Sequence, residues 1–188
     1  MLEGKKIIVT GSASGMGQAT LKAYVKAGAN VVGMDISNDK GKDISTNANS
    51  HGPGTCSFIH IDVSDEDSVK NAFYLALEEL KSLDVLAHPA AIQGPADASS
   101  VKVEDWDNMF AVNVRGTMLT NQNAFKYMKE NGSGSIINFG SISGLRPEPS
   151  ASAYSAAKGA VHSWTRTAAG TWGKHNIRVN AILPAIAT

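Results

Sequence analysis

Six short apolar runs, separated by stretches whose apolar residues return with helical spacing, limit what this chain can fold into more than any other feature. The runs cover residues 5–10, 31–34, 57–61, 83–87, 135–139 and 177–182. They read as continuous apolar segments rather than alternating ones, which is the pattern of strands covered on both faces. Helical periodicity lies between them, from Thr20 toward a stop at Gly28, after the capping group Ser64-Asp65-Glu66, and in two longer segments over 104–129 and 151–172. Strand and helix in strict turn imply a doubly wound α/β fold around a parallel sheet. Residues 37–54 are polar and are expected to hold a short helix and a loop. With 188 residues, 43% of them hydrophobic, and no repeat or linker, the chain reads as one domain over 1–188.

Charge narrows the partners. Lys plus Arg and Asp plus Glu each number 17, so no net field favours nucleic acid or an anionic membrane. No apolar run approaches spanning length, and the N-terminus lacks the pattern of a secretory signal. A single cysteine, Cys56, permits no internal disulfide and fits a reducing compartment, so the cytoplasm is expected. His51, Cys56 and His60 lack further paired ligands for a metal shell, and no metal is expected. Small molecules are the expected partners.

The turn after the first run is Thr10-Gly11-Ser12-Ala13-Ser14-Gly15-Met16-Gly17. Glycines between a strand and a helix let the backbone approach a pyrophosphate, which the helix N-terminus attracts through free amides. Any tight strand-to-helix turn also favours glycine, and no Lys-Ser/Thr follows, which excludes a P-loop. Asp35 closes the second run, where a dinucleotide fold places an acid on the adenosine ribose; as a local alternative it caps a helix. A carboxylate there repels a 2′-phosphate, and neither Ser14 nor Ile36 offers a compensating cation, so NAD is expected over NADP. Asp62, beside Val63 after the third run, suits an adenine contact and a helix cap equally.

Tyr154 and Lys158 stand four residues apart and share one helical face. A tyrosine of ordinary pKa near ~10 exchanges protons poorly at neutral pH. An ammonium at ~4 Å, with an effective dielectric of ~20, stabilises phenolate by roughly 4 kcal/mol, or about three pKa units. By itself the pair is equally a common feature of solvated helices.

Together with the glycine loop these residues closely resemble the short-chain dehydrogenase/reductase family, whose motifs are T-G-x-x-x-G-x-G and Y-x-x-x-K. The likeness extends to Asn113 in Asn-Val-Arg-Gly, Ser141 in Gly-Ser-Ile-Ser-Gly, and Asn180-Ala-Ile-Leu-Pro184 on the sixth run. The resemblance implies a Rossmann-like fold and an NAD-dependent oxidoreductase acting on a small secondary alcohol or ketone. Tyr154 is then the general acid/base, and Lys158 lowers its pKa and holds the nicotinamide ribose. Ser141 bonds the substrate oxygen, and Asn113 holds a water that connects Lys158 to solvent. The cofactor contacts it implies are Gly11, Ser14, Gly15, Met16, Gly17, Asp35, Ile36, Asp62, Val63, Ala90, Tyr154, Lys158, Pro184, Ile186 and Thr188. Rival readings on the same scaffold are a dinucleotide-binding regulator without turnover and an epimerase or dehydratase.

Two departures stand out. His88-Pro89-Ala90-Ala91 replaces the family's Asn-Asn-Ala-Gly, removing groups that tie neighbouring strands, and His88 is expected to restore part of that bonding. Pro184-Ala185 stands for Pro-Gly, which requires a negative φ at Ala185. The chain closes at Thr188, just past the sixth run, so a further strand and the substrate lid are expected to be missing. Gln93-Gly94-Pro95 and Arg146-Pro147-Glu148-Pro149 are expected to border the substrate pocket. Met16, Met34, Met109, Met118 and Met128 are read as packing residues. Trp106, Trp164 and Trp172 sit on the long helical segments, whose apolar surface the resemblance makes part of a subunit interface; a homo-oligomer, dimer or tetramer, is expected.

Overall fold

The structure, a computed structural model, describes residues 1–184. Six strands, β1 (Lys6–Thr10), β2 (Asn30–Asp35), β3 (Thr55–His60), β4 (Val85–His88), β5 (Gly134–Phe139) and β6 (Ile177–Ile182), form one sheet in the order β3-β2-β1-β4-β5-β6. Every pairing is parallel. The order reverses between β1 and β4, and at such a reversal the loops leaving the strand C-termini part and open a crevice.

Helices α1 (Gly15–Lys26) and α2 (Asn38–Asn49) cover one face, and α3 (Glu66–Leu80), α5 (Gly116–Glu130) and α6 (Ser152–Trp172) the other. The short α4 (Val103–Phe110) packs against the start of α6 through Met109, Ala153 and Ala157. Two-sided burial is visible in adjacent residues. Ile7 and Val9 pack with Leu21, Val25 and Ala48 beneath α1 and α2, whereas Ile8 joins Val32, Leu86, Ile136 and Phe73 on the opposite side. Ile7, Ile8 and Phe73 are fully buried, each stabilising the fold by roughly 1.5–3 kcal/mol relative to exposure. That is why the strands appear as unbroken apolar runs. None of the described helices is long and apolar enough to cross a membrane.

Local signals set the boundaries. Asp65 caps α3, its carboxylate accepting the Ser68 amide at 2.6 Å, with Glu66 and Asp67 in the first turn and Lys81 leaving in the left-handed region at φ 66°. The sequence reading errs elsewhere by a few residues. Helix α1 starts inside the glycine loop at Gly15 rather than near Thr20, while the short helix expected within 37–54 is the 12-residue α2. The fourth strand starts at Val85; Asp84 instead accepts the Lys6 amide at 2.8 Å and the Lys5 ammonium at 3.2 Å. The long segment expected over 104–129 is interrupted by a π-helical turn, Ala111–Arg115, between α4 and α5. One extra residue in a turn leaves the apolar periodicity on both sides intact, so periodicity could not reveal it.

His88 takes the expected structural place. Its Nδ1 lies 2.8 Å from Thr10 Oγ1 and 3.2 Å from Thr120 Oγ1, so one buried ring ties β1, β4 and α5. Its register partner on β5 is Asn138, which exchanges two 2.9 Å hydrogen bonds with Asn121 of α5 and donates to Thr165 of α6.

Candidate active site

The loops leaving the sheet at its reversal build two clefts. In the loop after β1, Gly11 has φ +60° and its Cα also approaches the segment after β4; an added Cβ would lie 2.8 Å from the Ala90 nitrogen. At Gly17 an added Cβ would overlap the Gly11 carbonyl, whereas Gly15, at φ +49°, faces open space. Ser14 stands at the N-cap of α1 without a side-chain hydrogen bond into the helix, which leaves its first amides without a capping acceptor.

Gly11, Ser14, Gly15, Met16 and Gly17, together with Asp35 and Ile36 after β2, Asp62 and Val63 after β3, and Ala90 after β4, line one cleft of about 380 Å³. The Asp35 carboxylate accepts the Ala13 amide at 3.0 Å and the Ser37 amide at 2.9 Å. It therefore links the glycine loop to the start of α2, whose N-cap is Ser37 rather than Asp35. Asp62 is likewise not the cap of α3; it holds a turn by accepting the Ser64 amide and hydroxyl at 2.9 and 2.7 Å. Free amides at a helix N-terminus, an open glycine and an acid at the end of β2 suit a nicotinamide dinucleotide.

The second cleft, about 800 Å³, meets the first at Met16 and contains Ser141, Tyr154 and Pro184. Gln93, Gly94, Pro95, Glu148 and Pro149 also line it, as expected; Arg146 and Pro147 do not. Of the expected cofactor contacts, Ile186 and Thr188, with the neighbouring Ala185, lie outside the described residues.

Tyr154 and Lys158 share one face of α6, and the lysine, lying over the Tyr154 ring, gives its hydrogen bond to the main chain rather than to the phenol. Its ammonium donates to the Phe139 carbonyl at 2.7 Å and lies 5.6 Å from the Tyr154 ring centroid. Burial pushes the Lys158 pKa down to about 8. Burial raises that of Tyr154, and what opposes the rise is the nearby Ser141 hydroxyl rather than the charge of Lys158. Sequence spacing gave the shared face and could not give the rotamer, which the free carbonyl at the end of β5 captures.

Ser141 follows β5 and opens a 3₁₀ turn, Ile142–Gly144. Its Oγ lies 3.2 Å from both the amide and the hydroxyl of Ser143. Asn113 sits in the π turn, 2% exposed. Its side-chain amide makes paired 2.8 Å hydrogen bonds with the Ile92 main chain and a 3.0 Å contact with Met109 Sδ. Its direct partner is thus the segment after β4, which walls the first cleft, and no hydrogen bond joins it to Lys158.

Sequence reasoning missed His162. It lies one turn beyond Lys158 on the same face of α6, and its Nε2 accepts the Ser141 amide at 3.2 Å. The i, i+4, i+8 series Tyr154, Lys158, His162 was the available signal. The other sequence candidates are dispersed: Cys56 is buried in β3, and His51 bonds the Asn47 carbonyl on the outside. Among the described residues no three His, Cys, Asp or Glu side chains are grouped to hold a metal.

Comparison with known proteins agrees with this geometry. The family model for short chain dehydrogenases matches residues 5–188. Momilactone A synthase of Oryza sativa subsp. japonica is 36% identical over 98% of this chain and 67% of its own length. Sorbitol dehydrogenase of Cereibacter sphaeroides is 37% identical over 98% of this chain and 71% of its own. A short chain dehydrogenase from Mycobacterium smegmatis superposes with a TM-score of 0.95 at 29% identity, covering 99% of this chain and 77% of that one. The chain belongs to the short-chain dehydrogenase/reductase family of oxidoreductases, which bind a nicotinamide cofactor.

Proposed function

We propose that this protein is an NAD(H)-dependent oxidoreductase that interconverts a small secondary alcohol and its ketone. The observation that carries the reading is the junction of the two clefts at Met16, with Asp35 in one and Tyr154 and Ser141 in the other. Bound at the glycine loop, the dinucleotide would supply the hydride. In reduction, Tyr154 gives its hydroxyl proton to the substrate oxygen as hydride reaches the carbonyl carbon; in oxidation it takes that proton back. Ser141 donates a hydrogen bond to the same oxygen, where charge develops. Lys158 places a positive charge beside the phenol, and Asn113 holds the Ile92 main chain at the wall of the cofactor cleft. Asp35 favours NAD because its carboxylate accepts from ribose hydroxyls and repels a 2′-phosphate. The name of the sorbitol dehydrogenase relative supports an alcohol substrate.

A homo-oligomer belongs to the same proposal. Val103 and Trp106 on α4 are 75% and 37% exposed, and Trp106 stacks on Phe110 to form an apolar ridge. Trp164 and Trp172, by contrast, pack edge to face, Trp172 buried in the core and Trp164 half-buried against it.

The test is titration of NADH and NADPH by fluorescence, followed by a panel of small ketones. The reading expects tighter NADH binding and oxidation of NADH by at least one ketone. Tight NADH binding with no turnover on any member would favour a dinucleotide-binding regulator instead.

A further inference from the structure

His162 has no part in the proton path above, yet it is built into the site. Its ring is 6% exposed and lies between two glycines. A Cβ at Gly140 would collide with Nε2, and one at Gly144 would come within 2.8 Å of Cε1. Both glycines belong to the segment that carries Ser141. The Gly140 amide donates to the Ile182 carbonyl on β6, and the next amide, that of Ser141, donates to His162 Nε2. The segment is therefore fastened to β6 on one side and to α6 on the other. On α6 the fastening point is one turn from Lys158 and two turns from Tyr154.

Accepting an amide proton requires Nε2 to be unprotonated. Burial, with the charges of Arg166 and Lys158, lowers the His162 pKa, the direction that favours the neutral ring. Nδ1 then carries the proton, and it is buried without a hydrogen-bond partner among the described residues. Leaving a buried polar atom unsatisfied is unfavourable, so packing alone would be served better by an apolar residue. Among the described residues the ring's one hydrogen bond is with the amide of Ser141.

Resting on the proposed function, we infer that His162 is a positioning residue: its Nε2 anchors the Ser141 main chain on the helix that carries Tyr154, and so sets the hydroxyl of Ser141 against the phenol and the substrate oxygen. A serine held only by its own 3₁₀ turn would sample other orientations, and its hydroxyl would be placed less often beside Tyr154 in the cleft that both line.

The test compares His162→Leu, which fills the slot without an acceptor, with His162→Gln, whose Oε1 reaches the place of Nε2. Wild type and Tyr154→Phe serve as references. For His162→Leu the expected result is a fall in kcat of about tenfold, the worth of one hydrogen bond, with NADH affinity and KM little changed. His162→Gln should recover most of the loss. The second readout needs no turnover. The ultraviolet titration of Tyr154, obtained by subtracting the Tyr154→Phe curve, should move to higher pH in His162→Leu and return in His162→Gln. Equal losses in both variants, or an unmoved Tyr154 titration in a folded His162→Leu protein, would overturn the inference. Normal turnover by Tyr154→Phe would instead overturn the proposed function, and the Tyr154 titration would still decide the role of His162.

Discussion

Asp35 shows how one side chain serves the fold and the proposed cofactor at once. Its two oxygens already accept amides from Ala13 and Ser37, and each retains acceptor capacity in a residue that lines the cleft. Asp35→Ala should weaken NADH binding by about tenfold or more, the scale of one or two charge-assisted hydrogen bonds. It should also narrow the preference over NADPH, because the repulsion of a 2′-phosphate disappears; paired Kd values for the two cofactors check this, and an unchanged ratio would remove Asp35 from cofactor choice. Single residues were legible in the sequence where spacing alone fixes geometry. Tyr154 and Lys158 had to share a face of a helix, and Gly11, Gly15 and Gly17 had to form a tight loop. The partner of each polar atom was not legible. The turn of Lys158 toward Phe139, the hold of Asn113 on Ile92 and the bond from Ser141 to His162 all join residues from different elements, and their rotamers are chosen only once those elements are packed.

Among elements, the tie between β1, β4 and α5 carries a pH signature. Burial, helped by the charge of Lys158, pushes the His88 pKa down to about 3 from the 6.5 of an exposed histidine. A folded-state pKa below the unfolded one means that the unfolded chain binds a proton the native protein refuses. His88 thus costs nothing above pH 6.5, and below it stability falls by about 1.4 kcal/mol per pH unit toward pH 3. Denaturant unfolding at pH 7, 6 and 5 should show that extra slope in wild type and lose it in His88→Asn. Parallel slopes would mean that His88 is charged or exposed in the native state. Strands and most helices were legible because two-sided burial and a 3.6-residue period both mark the sequence. Their ends were not: α1 starts within the glycine loop at Gly15, and the π turn at Ala111–Arg115 coincides with the long-range bonding of Asn113 to Ile92.

For the whole molecule, strand order decides where chemistry can occur. The reversal between β1 and β4 opens the crevice into which the glycine loop, the segment after β4 and the turn after β5 all project, so that the two clefts meet. The fold class was legible from the alternation of elements, whereas the meeting of the clefts needs the strand order, which no single segment encodes. The exposed ridge of Val103 and Trp106 belongs to this scale too. Trp106→Glu should lower the mass seen by analytical ultracentrifugation toward the monomer while leaving the melting temperature within a few degrees; an unchanged oligomer would exclude α4 from the interface.

The central claim is that Tyr154 transfers the proton beside a bound nicotinamide dinucleotide. Steady-state turnover of Tyr154→Phe, with the NADH Kd measured on the same preparation, tests it most directly. The account predicts a loss of about a hundredfold or more in kcat with Kd nearly unchanged, on the scale of general acid–base catalysis. Turnover close to wild type would contradict it.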